Sequence, residues 1–138
     1  MTIEEKKDLV IKKLTSFTDW EDRYRQILSY AKKLPLMNDQ LKTDEFLVKG
    51  CQSKVWLWYE FNQGKVIFLA DSDGIITKGI IGLLVYVYSG QTPQEILSTP
   101  FDFLKEVGIT EHLSSNRRNG LANMCKLIQT YAQNCQEK

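Results

Sequence analysis

The sequence has little of what side-chain catalysis or metal binding commonly needs. One histidine, His112, and three cysteines, at 51, 125 and 135, stand in 138 residues. No Cys-x-x-Cys or His-x3-His spacing occurs, so a structural zinc site has no ligand pattern. An odd number of widely spread cysteines argues against a disulfide framework. The glycines at 74, 79 and 82 fit neither Gly-x-Gly-x-x-Gly nor a phosphate loop. A formal net charge of +1 provides no field to attract nucleic acid. The longest apolar stretch, Ile75 to Tyr88, is interrupted by Thr77 and Lys78 and is short for a membrane span. The charged start, Met1 to Asp8, lacks the apolar region of a secretion signal. A cytoplasmic or equivalent reducing compartment is therefore expected.

What is present suits one domain over 1–138. Thr2 to Leu14 reads as an amphipathic helix. Trp20, Tyr24, Ile27, Leu28, Ala31 and Leu34 fall at helical spacing after a cap at Thr18 or Asp19, and Pro35 ends that helix. Leu36 to Lys49 reads as a loop, with a short edge strand near 46–48. From Lys54 the period changes to two. Val55, Leu57, Tyr59 and Phe61 share one face; Lys54, Trp56, Trp58 and Glu60 share the other. With a turn at Asn62-Gln63-Gly64, residues 54–70 form a hairpin.

Asp71-Ser72-Asp73-Gly74 offers several caps to a buried helix over 75–89, whose Gly79 and Gly82 would let it approach the sheet closely. Thr92-Pro93-Gln94-Glu95 has the form of a capping box, and short helices are expected at 93–97 and 102–107. Ser114, Ser115 and Asn116 cap a last helix. Its apolar stripe is Leu121, Met124, Cys125, Ile128, Tyr131, Ala132 and Cys135. The class is α+β, a small antiparallel sheet packed against several helices.

Cys51 is placed unlike the other two thiols. It lies in Gly50-Cys51-Gln52-Ser53-Lys54, a polar bend with Lys49 and Lys54 close by. Neighbouring cations and partial exposure favour the reactive thiolate, and burial at a strand entrance would quench it. Both readings stand on local sequence. Cys125 and Cys135 read as buried packing residues and His112 as a solvated loop residue, although a Cys51/His112 pair is conceivable. Asp71 and Asp73 read as caps. Trp56 and Trp58 either anchor a partner or pack under the N-terminal helices. Arg117 and Arg118 occupy the electropositive first turn of the last helix, against the helix dipole.

Four segments resemble the SufE family of sulfur acceptors, which includes the CsdE-type proteins. Gly50-Cys51-Gln52-Ser53-Lys54-Val55-Trp56 is similar to the family's Gly-Cys-x-x-x-Val-Trp core. Asp71-Ser72-Asp73 with Lys78-Gly79 resembles its Asp-Ser-Asp/Glu segment and the basic-Gly pair after it. Leu113 to Leu121 resembles Leu-(Ser/Thr)-x-x-Arg-x-x-Gly-Leu. Trp20-Glu21-Asp22-Arg23-Tyr24 and Leu34-Pro35 resemble the second helix and its stop.

The resemblance covers nearly the whole chain. It implies a sulfur-transfer partner of a pyridoxal-phosphate-dependent cysteine desulfurase rather than a stand-alone enzyme. Cys51 would carry the persulfide, and sulfur would pass on to an iron–sulfur scaffold complex. Arg117 would have an electrostatic or loop-ordering role; none carries over to Arg118. No bound cofactor is implied, since pyridoxal phosphate belongs to the desulfurase. Nucleic acid and membrane are not expected partners, and a homodimer is left open. The competing reading is a non-catalytic binding module that uses the Trp56/Trp58 face.

Overall fold

The alternation that begins at Val55 forms a hairpin in the computed structural model, which describes residues 1–136. Strand β1 (Val55–Asn62) pairs antiparallel with β2 (Lys65–Ser72), from Val55 opposite Ser72 to Asn62 opposite Lys65. Gln63 and Gly64 both take positive φ, 53° and 80°, the backbone twist a two-residue hairpin turn requires. Val55, Leu57, Val66, Phe68 and Ala70 are buried on one face. Trp56, Trp58, Ile67 and Leu69 are half-buried on the other. The expected edge strand shrinks to a single bridge between Leu47 and Trp56, with the Val48 amide donating to the Val55 carbonyl at 2.8 Å.

The central helix, α3 (Ile75–Tyr88), is buried nearly all round, with residues 79–85 all inside. Its glycines do permit a close approach, but to a helix rather than to the sheet. A methyl on Gly79 would lie 2.9 Å from Leu28 Cα, and one on Gly82 would lie 2.5 Å from the Tyr30 carbonyl oxygen. The neighbours are α2 (Trp20–Ser29) and the 3-10 turn Tyr30–Lys33 that continues it. A helix backbone can nest against a side-chain-free stripe, whereas the sheet meets α3 through its larger side chains.

As expected, Asp19 caps α2, and Thr92 with Glu95 closes a capping box on α4 (Pro93–Ser98). A further box, not among those expected, is Thr2 with Glu5 on α1 (Ile3–Thr15). Leu34 is extended before Pro35. Of the residues expected to cap α3, Gly74 takes the N-cap position, with no side-chain capping hydrogen bond. Beyond α5 (Phe103–Glu106), a further short helix, α6 (Ile109–His112), begins after Gly108 at φ 86°. Apolar periodicity over four residues is too short to announce such a turn.

Helix α7 (Ser115–Gln136) buries Leu121, Met124, Ile128, Tyr131, Ala132 and Cys135, and leaves Cys125 half-buried. It is tied to the hairpin by the Tyr131 hydroxyl, which donates to the Leu57 carbonyl at 3.0 Å, and by the stacked rings of Tyr131 and Tyr59. The architecture is α+β: seven α-helices and one two-stranded sheet among the described residues. The expected domain over 1–138 has its last two residues outside the described ones.

Candidate functional site

Cys51 lies on an irregular loop, residues 49–54, between the 3-10 turn Asp44–Phe46 and β1. The loop is held at both ends. At its start Gly50 takes φ +80°, a conformation that side-chain-bearing residues rarely adopt. There the Asn123 side-chain amide, on α7, donates to the Lys49 carbonyl at 2.7 Å. At its end, the Lys54 amide donates to Asp73 Oδ1 at 2.9 Å, and the Asp73 amide donates back to the Lys54 carbonyl at 3.1 Å. Ser53 packs onto Gly74, where a Cβ would collide with its hydroxyl.

The thiol rests on α7. A methyl built on Gly120 would lie 2.9 Å from Cys51 Sγ, so the sulfur occupies the space that a side chain there would fill. Glycine inside a helix costs roughly 0.5–1 kcal/mol relative to alanine, so this contact gives the glycine a packing reason. Cys51 is half-buried, and burial pushes its thiol above the ordinary value. Lys49, Lys54 and Arg117 do not reverse that direction. The resting pose therefore shelters the thiol and does not activate it.

The acidic pair expected to cap α3 is spent on this end of the hairpin. Asp73 closes the loop as described. Asp71 is bridged by Lys42 Nζ at 2.7 Å and Lys78 Nζ at 3.2 Å. Burial raises its carboxyl, but Lys42, the Ser72 amide and Lys78 outweigh burial and hold it below the usual carboxylate range. These are structural roles, with no geometry for acid–base work between the two carboxylates.

Other candidates lie apart from the thiol. His112 stacks on Trp20 at 3.8 Å between ring centroids, and its Nδ1 is 2.8 Å from the Gly108 carbonyl oxygen. Cys125 lies five residues beyond Gly120, about 140° round the helix. Burial pushes its thiol up to about 12. Cys135 is buried, and Cys51 and Cys125 are free thiols. Arg117 is half-buried one turn before Gly120; Arg118 is exposed and reaches Ser115 Oγ. Trp56 and Trp58 lie on the hairpin's open face, whereas α1 and α2 pack chiefly on α3. Among the described residues no group of three His, Cys, Asp or Glu side chains could hold a metal, and no helix is long and apolar enough to cross a membrane.

The structure thus brings the Cys51 loop together with Gly120 and Asn123. Sequence reasoning placed Gly120 in a motif without a reason for it and missed Asn123 altogether. A polar side chain bonded to a carbonyl 74 positions away leaves no periodic trace.

The α+β fold presents one loop thiol, Cys51, packed against a helix glycine, Gly120. The sequence matches the SufE family, described as an Fe-S metabolism associated domain, over residues 8–132. The chain belongs to the SufE family, and its domain is one associated with iron–sulfur metabolism. It is 40% identical over 124 residues to SufE-like protein 1, chloroplastic/mitochondrial, of Arabidopsis thaliana, covering 89% of this chain and 33% of that protein. The chain therefore spans about a third of that longer relative. It is 36% identical over 123 residues to an uncharacterised SufE-like protein of Synechocystis, covering 89% of this chain and 77% of that one. A Rhizobium etli SufE-like protein, also uncharacterised, is 35% identical over 130 residues, covering 91% and 88%. The fold is similar to the solution structure of a hypothetical protein from Thermus thermophilus, with a TM-score of 0.81, 22% identity, and coverage of 96% and 97% of the two chains.

Proposed function

We propose that this chain is a sulfur acceptor for, and activator of, a cysteine desulfurase, with Cys51 as the carrier. The donor's cysteine persulfide presents a terminal sulfur. The Cys51 thiolate attacks that sulfur, a new S–S bond forms on Cys51, and the old S–S bond breaks. The bonding pair leaves with the donor's cysteine as thiolate, which takes up the proton that Cys51 gave up. No net oxidant is needed. The persulfide then passes to an iron–sulfur scaffold complex by the same exchange. Pyridoxal phosphate would serve the donor, in releasing sulfur from cysteine.

The observation that carries this reading is the placing of Cys51. It is one thiol, on a loop, sheltered at rest against Gly120, in a family tied to iron–sulfur metabolism. Single-thiol exchange needs access and a leaving group, not a histidine. His112 is stacked on Trp20, which suits that reading. Arg117, one turn from Gly120, is proposed to steady the anionic thiolate or the loop once the partner is docked. A reducing compartment such as the cytoplasm is proposed, since a carrier thiol must stay free between cycles.

The test is mass measurement after incubation with a cysteine desulfurase and cysteine. Wild type should gain about 32 Da, reversible by reductant, as expected for a persulfide. Cys51→Ser should gain none, while Cys125→Ala and Cys135→Ala keep the gain. Transfer that survives in Cys51→Ser sinks the proposal. Desulfurase binding without any mass gain would favour a binding module on the Trp56/Trp58 face.

A further inference from the structure

Two residues of α7 outside the expected chemistry meet the thiol loop directly. Gly120 is buried, and a methyl on it would lie 2.9 Å from Cys51 Sγ and 3.5 Å from Cys51 Cα. Asn123 follows one turn later on the same flank. Its Nδ2 donates to the Lys49 carbonyl at 2.7 Å and lies 2.5 Å from where a Cβ on Gly50 would stand. Asn123 therefore fits only because residue 50 is glycine, and the sulfur fits only because residue 120 is glycine. Three consecutive loop residues, 49 to 51, are seated on one face of one helix. Lys49 and Asn123 both line an open groove of about 290 Å³, so their bond can be reached from outside.

We infer that Asn123 and Gly120 form a latch that sets how often the Cys51 loop leaves its sheltered pose, and so act as positioning residues for sulfur transfer. The inference rests on the proposed carrier role for its consequence. The contacts themselves do not depend on it. Without the amide, the Lys49 carbonyl loses its tie to α7 and the loop start is held only by its own turn. With a side chain at 120, the sulfur must leave its seat, by rotation or with the whole loop. Asp73 still fastens the far end, so the loop opens as a flap hinged at Lys54.

The experiment is iodoacetamide labelling of the full chain, read by peptide mass at Cys51, Cys125 and Cys135 separately. Asn123→Ala should label about fivefold faster at Cys51, the factor set by one ordinary hydrogen bond. Cys135 should be unchanged. Asn123→Asp keeps the shape, removes the donor and should label at least as fast; Asn123→Gln restores an amide and should return the rate towards wild type. Gly120→Ala adds a better helix former, so it should fold, and should label about tenfold faster at Cys51 as expected for overpacking a fitted site. Cys51 labelling unchanged in both Asn123→Ala and Gly120→Ala overturns the latch. So does a parallel rise at Cys135, which would mean general loosening. No sulfur donor enters the assay, so the latch and the carrier role can fail separately.

Discussion

Cys125 is part of α7, whereas Cys51 lies against α7 from a loop. Both are half-buried free thiols and both are raised by burial. Their supports differ. Cys125 is carried by the helix itself, which is fixed by Leu121, Met124, Ile128 and the Tyr131–Leu57 bond. Cys51 needs only the release of a few loop contacts. On the proposed reading, reactivity in this fold is set by what holds the sulfur, more than by the charges around it. Local opening of a loop requires far less free energy than opening a packed core.

The largest expected effect tests that contrast by deletion. Cys51→Ser should lower sulfur transfer by more than about 100-fold, because serine's hydroxyl is far less nucleophilic than a thiolate. Cys125→Ser should leave it near wild type. Equal losses in the two variants, measured as persulfide formed per unit time, would break the comparison.

Next in size is the pH dependence of labelling. With its thiol pushed up to about 12, Cys125 in the folded chain is ionised to only about one part in ten thousand at pH 8. Cys51 is raised by burial too, so its labelling should keep climbing with pH past the range where a free thiol levels off, yet stay well ahead of Cys125. The stability sign follows. A thiol raised in the folded state stabilises below the ordinary thiol value, and that contribution is lost as pH rises towards the folded value, because the unfolded chain ionises first. Site-resolved labelling rates between pH 7 and pH 10 (about neutral to the lysine range) check both statements. Parallel curves for the two thiols would contradict them.

Much of the frame was legible in the sequence, for a physical reason. Burial of one face forces period two on β1 and β2 and a nearly continuous apolar run on α3, and both patterns survive in a bare list of residues. The capping box Thr92–Glu95 is legible because its partners are three residues apart. Contacts that join distant segments through polar atoms or empty space are not. Asp71 and Asp73 stand where caps would stand, but Lys42 and the Lys54 amide claim them from across the fold. Gly79 and Gly82 announce a close approach without naming what approaches. Asn123 on Lys49 announces nothing. Cys51 was legible as a candidate because loop thiols are unusual; its seat on Gly120 was not.

Two smaller effects sharpen the rigid side of the comparison. Gly82→Ala forces a methyl to within 2.5 Å of the Tyr30 carbonyl oxygen, which belongs to backbone and cannot swing away. The cost should be about 1–3 kcal/mol of stability by denaturant unfolding. Alanine at 120 should cost little or raise stability, because its neighbour is a movable sulfur. Similar losses at 82 and 120 would show that the thiol loop is as firmly packed as the core.

Tyr131→Phe is the finer probe. It deletes one buried hydroxyl that donates to the Leu57 carbonyl and leaves the stacked ring against Tyr59. The expected loss is about 1 kcal/mol, seen as a lower denaturant midpoint at unchanged slope. The bond joins α7 to β1 on the frame, while Lys49 to Cys51 rest on the α7 surface upstream of it. Labelling at Cys51 should therefore stay at the wild-type rate although global stability falls. If Cys51 labelling rises in step with the lost stability, the loop does not open locally, and the distinction between a thiol held by a loop and a thiol held by a helix fails.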